Sequence, residues 1–257
     1  SVIRDQVRRL QMAAVYVIAG GNDRLPEALA ERLRHRIRYR TALRRVEHSA
    51  TGVRLAVEQR GLTQSIEGDA VILTLPFTAL REVEIAPALP EERTRIIHQL
   101  PYTQICKTFL QTRDRFWRNE HRAEAIWTDS RYERFFDISK SFPGPRGLLV
   151  GWVNGTGAKA LESTSEEQIA QLTIDRLRQL FPDRASGFEA ARTVHWAKTY
   201  ARGAYAHYAP GQLRQFAPQI AQPVGPIHFA GEHTELDAPG MEGALVSGVR
   251  AAREVLA

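Results

Sequence analysis

The last thirty residues, "IHFAGEHTELDAPGMEGALVSGVRAAREVL" from Ile227 to Leu256, constrain the fold more than any other segment. They read as a short apolar strand, a polar turn and a helix whose small residues recur on neighbouring turns: Gly243, Ala244, Ser247, Gly248, Ala251 and Ala252. Such spacing lets a sheet or a flat ligand approach the helix backbone closely. At its start, Gly240 and Met241 present free N–H groups to an anion or a ring carbonyl. Ordinary close helix–sheet packing would produce the same pattern.

The composition is that of a soluble globular protein. The chain has 257 residues, 43% of them apolar and 25% charged, which suffices for one large or two small domains. Its single cysteine, Cys106, excludes an internal disulfide and a cysteine-rich metal site, and we expect no bound metal. No apolar run reaches the roughly 18 to 20 residues of a membrane helix, so we expect a cytoplasmic protein without a membrane span. The chain starts at Ser1 and not at methionine, so processing and a removed leader stay open.

The net charge is +6, and the densest basic run is "RLRHRIRYRTALRR", residues 32–45. A nucleic-acid patch is one interpretation. The other is a helix end that continues into a strand, in which Ile37 and Tyr39 alternate with arginines on a solvated face. No aromatic stacking platform accompanies the run. We therefore favour the solvated face, expect no nucleic-acid partner, and infer only a mild preference for anionic ligands.

Periodicity along the chain predicts a mixed α+β fold. Helices are predicted for residues 1–15, for a segment after Gly20 and Gly21 with Asp23 as its cap, and for 89–100 and 164–181. Strands are predicted at 37–48, 52–59, 70–75, 104–112, 123–128, 134–138 and 147–153, before the final strand and helix. The G-x-G-x-x-G signature of a dinucleotide-binding unit is absent. The glycines of "GWVNGTG", 151–157, have the wrong spacing, so this segment is interpreted as a strand ending in a turn.

Two further features suggest a site. The segment "HWAKTYARGAYAHYAPG", 195–211, clusters Trp196, Tyr200, Tyr205 and Tyr208 on a predicted loop. Aromatic loops often form binding sites, although a small core beneath a long loop is equally compatible. Lys107 lies within the alternating strand "QICKTFL" on an apolar face. Burial there would lower its pKa and allow it to act as a base, a nucleophile or a water-holding donor. An edge lysine that guards the strand against aggregation is the alternative.

In their order along the chain, these segments resemble the C-terminal two-thirds of the flavin-dependent amine oxidase family, which includes monoamine oxidases, polyamine oxidases and L-amino-acid oxidases. The resemblance covers nearly the whole chain and is carried by five collinear segments: "GGNDRLPEALAERL", "GDAVILTLP", "YTQICKTFLQTRDRFW", "WAKTYARGAY" and the closing segment. It implies an α/β FAD-binding part and a mixed-sheet substrate domain. The implied division is a helical tail of the substrate domain (1–19), the adenine side of the FAD-binding part (20–76), the substrate-binding domain (77–195), and the flavin side with the C-terminal helix (196–257).

The resemblance also implies roles for individual residues. Leu43 would meet the adenine through its backbone. Gly231 and Glu232 would approach the ribityl and phosphate part of FAD, and the helix that begins at Gly240 and Met241 would point at the pyrimidine end of the flavin. The residues implied around the flavin and the substrate are Trp196 and Tyr200 beside the flavin, Tyr205 as one wall of the substrate cage, and Lys107 holding a water near flavin N5. Phe135 and Phe136 are expected as further pocket walls, on a looser alignment.

Two departures from the family pattern are informative. The second wall of the monoamine-oxidase cage is Gly240 here, which leaves room for a bulkier or carboxylate-bearing substrate. The residue beside the cage tyrosine Tyr205 is Ala204 where monoamine oxidases have the cysteine that attaches their flavin. We therefore expect FAD to be bound non-covalently. Cys106 is expected to be an inert, buried thiol.

The family's N-terminal Rossmann unit, which binds the FAD pyrophosphate, has no counterpart in the sequence. A separately encoded subunit, a precursor cleaved into chains that stay together, and a truncated chain are the three explanations. We expect a partner chain that carries the Rossmann unit, and a higher oligomer. The expected activity is oxidation of an L-amino acid to a keto acid, ammonia and hydrogen peroxide. The alternatives are an oxidase or dehydrogenase of a polyamine or secondary amine, and a non-catalytic scaffold.

Overall fold

The computed structural model describes residues 18–118, 125–182, 185–238 and 240–257. The chain divides into two compact units, one ending at Arg40 and one running from Thr41 to Ala257. In the first, helix α1 spans Arg24–Leu33, and Asp23 occupies the cap position without a side-chain capping bond. The helix predicted at 1–15 lies outside the described residues.

The strand predicted to begin at residue 37 begins instead at Thr41. Residues 34–40 form turns, and Arg40 has a φ of 55°, in the left-handed region, which interrupts an extended strand. The arginines of this segment are exposed, as the solvated-face interpretation requires, although a loop and not a strand face carries them.

The described residues of the second unit form three sheets. The four-stranded sheet has the order β3-β2-β1-β5, with β1 at Thr41–Ser49, β2 at Gly52–Gln59, β3 at Leu62–Gly68 and β5 at Glu84–Ala86. A two-stranded parallel sheet pairs β4 (Val71–Leu73) with β11 (Ile227–Phe229). The five-stranded antiparallel sheet has the order β10-β6-β9-β8-β7, with β6 at Ile105–Thr112, β7 at Ala125–Trp127, β8 at Arg134–Asp137, β9 at Gly147–Asn154 and β10 at Phe188–His195.

The helices of the second unit are α2 (Phe77–Leu80), α3 (Glu91–Gln99), α4 (Gly155–Lys159), α5 (Glu166–Leu180), α6 (Gln212–Phe216) and α7 (Met241–Leu256). Helix α5 begins with a capping box: Ser165 Oγ accepts from the Gln168 N–H, and the Gln168 side chain accepts from the Ser165 N–H. This pair satisfies two N–H groups that would otherwise lack partners. Among the described residues, no helix is both long and apolar enough to cross a membrane.

The described residues of the second unit form two hydrophobic cores. The first joins β1, β4 and β11 to helices α2, α3 and α6, and includes Val46, Leu73, Phe77, Ile96 and Phe229. The second packs one face of the five-stranded sheet against α5, and includes Cys106, Leu110, Phe135, Leu149 and Leu177. Residues 77–100, assigned from the sequence to the substrate domain, contribute to the first core. The proposed domain boundaries otherwise stay a prediction.

Candidate active site

The candidate site begins on the face of the five-stranded sheet opposite the second core. Along β6, Cys106, Thr108 and Leu110 are buried, whereas Lys107 and Phe109 alternate with them and are only half-buried. Successive strand residues point to opposite faces, so Lys107 shares its face with Phe109, as the alternation predicted. We call this face, opposite the second core, the open face. Cys106 faces the core, and burial raises the pKa of its thiol to about 11. This fits the inert thiol predicted there.

Strand register aligns four side chains across this open face. Lys107 pairs with Trp152 on β9, Trp152 with Arg134 on β8, and Arg134 with Trp127 on β7. Directly paired residues share a face of the sheet. The Lys107 ammonium lies 4.0 Å from the centre of the Trp152 ring. The Arg134 guanidinium carbon lies 4.4 Å from the same ring, 4.8 Å from Phe136 and 5.1 Å from Trp127. We call this set of five side chains the cation–aromatic row.

The electrostatics of the row are those of two cations sharing aromatic surface. Burial, and secondly the charge of Arg134, lower the pKa of Lys107. Arg134 Nε is buried without a hydrogen-bond partner. The neighbouring carboxylate of Glu133 accepts a 2.7 Å hydrogen bond from the Asn154 amide, whose oxygen accepts from the Trp152 indole N–H at 2.6 Å. Among the described residues, no carboxylate forms an ion pair with either cation of the row.

Main-chain hydrogen bonds connect the aromatic loop to the segment that leads into β6. The Thr103 N–H donates to Tyr205 O at 2.9 Å, and the Ala204 N–H donates to Thr103 O at 2.8 Å. The Ala206 N–H donates to a carboxylate oxygen of Glu232 at 3.0 Å. The structure therefore links three predicted site elements: the loop of Tyr205, the turn of Glu232 and the strand of Lys107.

The remaining aromatic residues of this loop differ in exposure. Tyr205 is 45% exposed and Tyr200 is 81% exposed, so both offer ring surface to a ligand. Trp196 opens a short 3-10 turn and is half-buried. Tyr208 packs against the first core, and its hydroxyl is buried without a partner among the described residues. A cleft of about 690 Å³ beside the loop is lined by Tyr200 and its neighbours, and neither Lys107 nor Tyr205 lines it. We place the site on the open sheet face because two of the predicted residues, Lys107 and Phe136, lie there.

The turn after β11 brings the backbone close to helix α7. Gly231 has a φ of 129°, and its N–H donates to Ser247 Oγ at 2.9 Å. A Cβ at Gly231 would lie 2.5 Å from the His233 ring, so only glycine fits without a shift. Burial raises the pKa of Glu232, partly offset by the hydrogen bond from Ala206. His233 packs edge-on against Phe77 with ring centres 4.3 Å apart.

Helix α7 uses its small residues in two ways. Gly243, Ser247 and Ala251 are buried, which is the close-packing interpretation of the pattern. Gly248 instead faces open space, and so does Gly240. At Gly240, a φ of 76° and a ψ of −142° start the helix without a side-chain cap. An uncapped helix N-terminus beside an open glycine fits the electron-rich edge of a flavin, so the residues present are compatible with that cofactor.

The structure also places three other predicted residues. Leu43 lies on β1 beside an irregularity in its pairing with β2, and its side chain packs against the first core. Phe136 lies in the cation–aromatic row. Phe135 is fully buried in the second core, stacked on Tyr132 with ring centres 5.8 Å apart. Adjacent strand residues face opposite sides, so Phe135 has no surface for a ligand and the expectation of a pocket wall there is corrected.

Sequence reasoning missed Arg134, Trp152 and Trp127. Each belongs to a short apolar segment that was predicted as a strand. A signal existed in the segments "RFFD" and "GWVN". If both are strands, side-chain alternation puts Arg134 on the face opposite Phe135, and Trp152 on the face opposite its two sequence neighbours. Only the pairing of β7, β8 and β9 brings the three side chains onto one row.

Comparison with known proteins identifies the family of the chain. The model of the flavin-containing amine oxidoreductase family matches residues 2–256. The chain is 29% identical to YobN of Bacillus subtilis (strain 168) over 99% of this chain and 55% of that protein. It is 28% identical to flavin-containing amine oxidase A of Bos taurus over 92% of this chain and 46% of that protein. It is 26% identical to an L-amino-acid oxidase of Demansia vestigiata over 93% of this chain and 47% of that protein.

A solved structure shares the fold. Wild-type putrescine oxidase bound to putrescine superposes with a TM-score of 0.81 at 21% identity, covering 92% of this chain and 53% of that one. The chain thus spans about half the length of the relatives it matches. With its family model matched over nearly every residue, this chain belongs to the flavin-containing amine oxidoreductase family.

Proposed function

We propose that this chain forms part of an FAD-dependent oxidase that acts on the α-amine carbon of an L-amino acid. The observation that carries the proposal is Lys107, half-buried over the Trp152 ring at 4.0 Å and joined through its strand to the loop of Tyr205. The similarity to an L-amino-acid oxidase supports the substrate class. The net reaction converts an amino acid, oxygen and water to a keto acid, ammonia and hydrogen peroxide.

The cofactor of this family is FAD. When bound, FAD would supply an acceptor for the hydride of the substrate carbon and a donor of two electrons to oxygen. The residues proposed to hold it are Leu43, Trp196, Tyr200, Gly231, Glu232, Gly240 and Met241. The N-terminus of α7, the positive end of a 16-residue helix dipole, would stabilise negative charge on it. Ala204 has no thiol for attachment, so we propose non-covalent binding.

Other residues of the chain act on the substrate and on water. Lys107, with its lowered pKa, holds a water molecule where oxygen reacts. Tyr205 forms one wall of the cage, and Phe136 adds apolar surface on the open sheet face. Gly240 leaves the opposite wall open for a larger substrate. These groups orient the amine carbon and exclude bulk water.

The proposal includes a partner polypeptide that completes the FAD site. Helix α7 exposes Leu245, Val246, Val249 and Leu256 by 41%, 42%, 52% and 86% of their surface, an apolar face on an otherwise amphipathic helix. Contiguous apolar surface of this kind marks an interface. The two-stranded sheet of β4 and β11 is also parallel, and parallel sheets are normally buried within larger ones. We propose that the partner carries the dinucleotide-binding unit.

A polyamine or secondary-amine oxidase is the second candidate. Glu232, a half-buried carboxylate, lies beside Tyr205 through its hydrogen bond with the Ala206 N–H. A carboxylate near the cage would attract a cationic substrate. Screening by peroxide release with the twenty L-amino acids and with polyamines separates the two candidates. Oxidation of polyamines alone would refute the amino-acid assignment.

Native mass spectrometry of the isolated particle tests the proposal first. We expect this chain together with a second polypeptide and an FAD-sized ligand that denaturation releases. A particle that contains only this chain, binds no flavin and releases no peroxide would support the non-catalytic scaffold instead.

Replacement of Lys107 by methionine tests the catalytic assignment. The ammonium is lost while the stem over Trp152 remains, so we expect flavin reoxidation by oxygen to slow about 100-fold. Anaerobic reduction of the flavin by substrate should change much less. The matched control is Lys140→Met, an exposed lysine in the 3-10 turn Ser139–Ser141. Stopped-flow absorbance measures both half-reactions, and unchanged reoxidation in Lys107→Met would contradict the role of Lys107.

A further inference from the structure

The half-buried Arg134 differs from three other arginines of the described residues that are buried or half-buried. Arg93 donates to the carbonyl of Ile220 at 2.8 Å and to other carbonyls nearby. Arg115 donates to four main-chain carbonyls, and Arg118 pairs with Asp137 at 2.8 Å. The Arg134 guanidinium has neither a hydrogen bond nor an ion pair among the described residues, and its Nε is buried. A buried donor without an acceptor destabilises a protein, so this position is expected to acquire one.

The aromatic side chains around Arg134 restrict where such an acceptor can bind. Trp127 and Trp152 stand on the two neighbouring strands, at 5.1 and 4.4 Å from the guanidinium carbon, and Phe136 lies at 4.8 Å. Rings that contact a guanidinium leave its planar N–H edge available for a bidentate acceptor. Apolar rings also lower the local polarity and strengthen a charged hydrogen bond. The geometry therefore suits a carboxylate and repels a second cation.

The position of Arg134 relative to Lys107 matters as well. Both cations contact the same Trp152 ring, at 4.4 and 4.0 Å. Neighbouring strands lie about 4.8 Å apart, so residues on β6 and β8 bracket a gap of roughly two strand spacings above the indole. An α-amino acid places its carboxylate next to the carbon that loses hydride. A carboxylate on Arg134 would thus hold that carbon over Trp152, beside Lys107.

We infer that Arg134 binds the carboxylate of the substrate and is the residue that selects an amino acid over an amine. The inference rests on the proposed oxidase function and adds the specificity-determining residue. It assigns Trp152, Phe136 and Trp127 as the rings that position the guanidinium. No covalent step is involved.

The test uses the flavin-loaded complex as isolated and two unreactive or partial analogues of phenylalanine. One is 3-phenylpropanoate, which has the carboxylate without the amine, and the other is 2-phenylethylamine, which has the amine without the carboxylate. Binding is measured by quenching of tryptophan fluorescence. Peroxide release gives kcat/KM for 2-phenylethylamine and for the L-amino acid that the wild-type enzyme oxidises fastest.

The variants are Arg134→Met, Arg134→Lys and the control Arg192→Met. Arg192 is an exposed residue of β10 that pairs with Phe109, so it lies on the same sheet face outside the cation–aromatic row. We expect Arg134→Met to weaken 3-phenylpropanoate binding and lower kcat/KM for the amino acid by about 10- to 100-fold. Arg134→Lys should recover part of this loss, and Arg192→Met should behave as wild type.

The informative result is the difference between the effects of Arg134→Met on the amine and on the carboxylate. Activity with 2-phenylethylamine should be unchanged or higher in Arg134→Met, because a repelling charge has been removed. Equal losses for the carboxylate and the amine would show a purely structural role and overturn the inference, as would unchanged binding of 3-phenylpropanoate. Failure of the proposed function looks different: the wild-type complex would then release no peroxide from any L-amino acid.

Discussion

Gly243 offers the sharpest test of how helix α7 is built into the site. A Cβ added at this position would lie 1.9 Å from the carbonyl oxygen of Ala238 and 3.2 Å from the Cβ of Glu235. A carbon and a carbonyl oxygen normally approach no closer than about 3.3 Å. Gly243→Ala must therefore displace the backbone that precedes α7 by more than an ångström. That backbone leads into Gly240, where the helix N-terminus meets the proposed flavin.

The change in the free energy of unfolding for Gly243→Ala is the sum of two opposing effects. Alanine stabilises a helix interior by about 0.8–1 kcal/mol relative to glycine. Overpacking costs about 1–3 kcal/mol, and because the obstructing atom belongs to the backbone we expect the upper part of that range. The net loss for Gly243→Ala is then about 1–2 kcal/mol. Gly248→Ala is the matched control, since a Cβ there meets nothing within 4 Å, and it should gain about 1 kcal/mol.

Thermal unfolding of the two variants measures this difference. For a chain of this size, Tm changes by about 2–4 °C per kcal/mol, so the two variants should shift Tm in opposite directions. Bound flavin per chain, determined from absorbance, should fall in Gly243→Ala and stay constant in Gly248→Ala. If Gly243→Ala raised Tm as much as Gly248→Ala, the close contact would not exist and the reasoning would be refuted.

Two further predictions concern the cores. Phe135→Ala should destabilise the chain by about 3–5 kcal/mol because the ring is fully buried, whereas Phe136→Ala should mainly raise KM for the substrate. Denaturant unfolding measures the first effect and steady-state kinetics the second. Equal losses of Tm in the two variants would contradict the assignment of the two rings to opposite faces of β8. Burial lowers the pKa of His233 from 6.5 to about 4, so the unfolded chain takes up a proton that the folded chain resists. The free energy of unfolding should fall by about 3 kcal/mol as pH drops from about 6.5 to about 4. His233→Gln should lose this dependence, and an unchanged pH profile of stability in that variant would argue against it.

Patterns with a strong period were predicted well from the sequence. The helices of 89–100 and 164–181 and the strands of 104–112, 134–138 and 147–153 are all present, with ends shifted by a few residues. Each buries one face, so its apolar residues recur at the spacing of its own backbone. The same alternation correctly predicted that Lys107 and Phe109 share a face of β6.

Weakly patterned elements were missed for a physical reason. Strand β3 reads "LTQSIEG" and is largely exposed, and most of β10 is exposed as well. Both are edge strands of their sheets, held by hydrogen bonds to one neighbour. Backbone pairing leaves no hydrophobic period in the sequence. Residues 37–40 show the opposite error: they alternate between apolar and charged residues and were predicted as part of a strand, but β1 begins only at Thr41.

The sequence by itself determined the family, the small-residue helix α7, the aromatic loop and the face on which Lys107 lies. These depend on residue type and on local spacing, which a single chain displays directly. Tertiary structure alone decided that Phe135 belongs to the core and Phe136 to the site, and that Arg134 stands beside Trp152 and Trp127. The reason is register: residues far apart in the chain become neighbours only when particular strands pair, and a one-residue change in pairing would send every side chain to the opposite face.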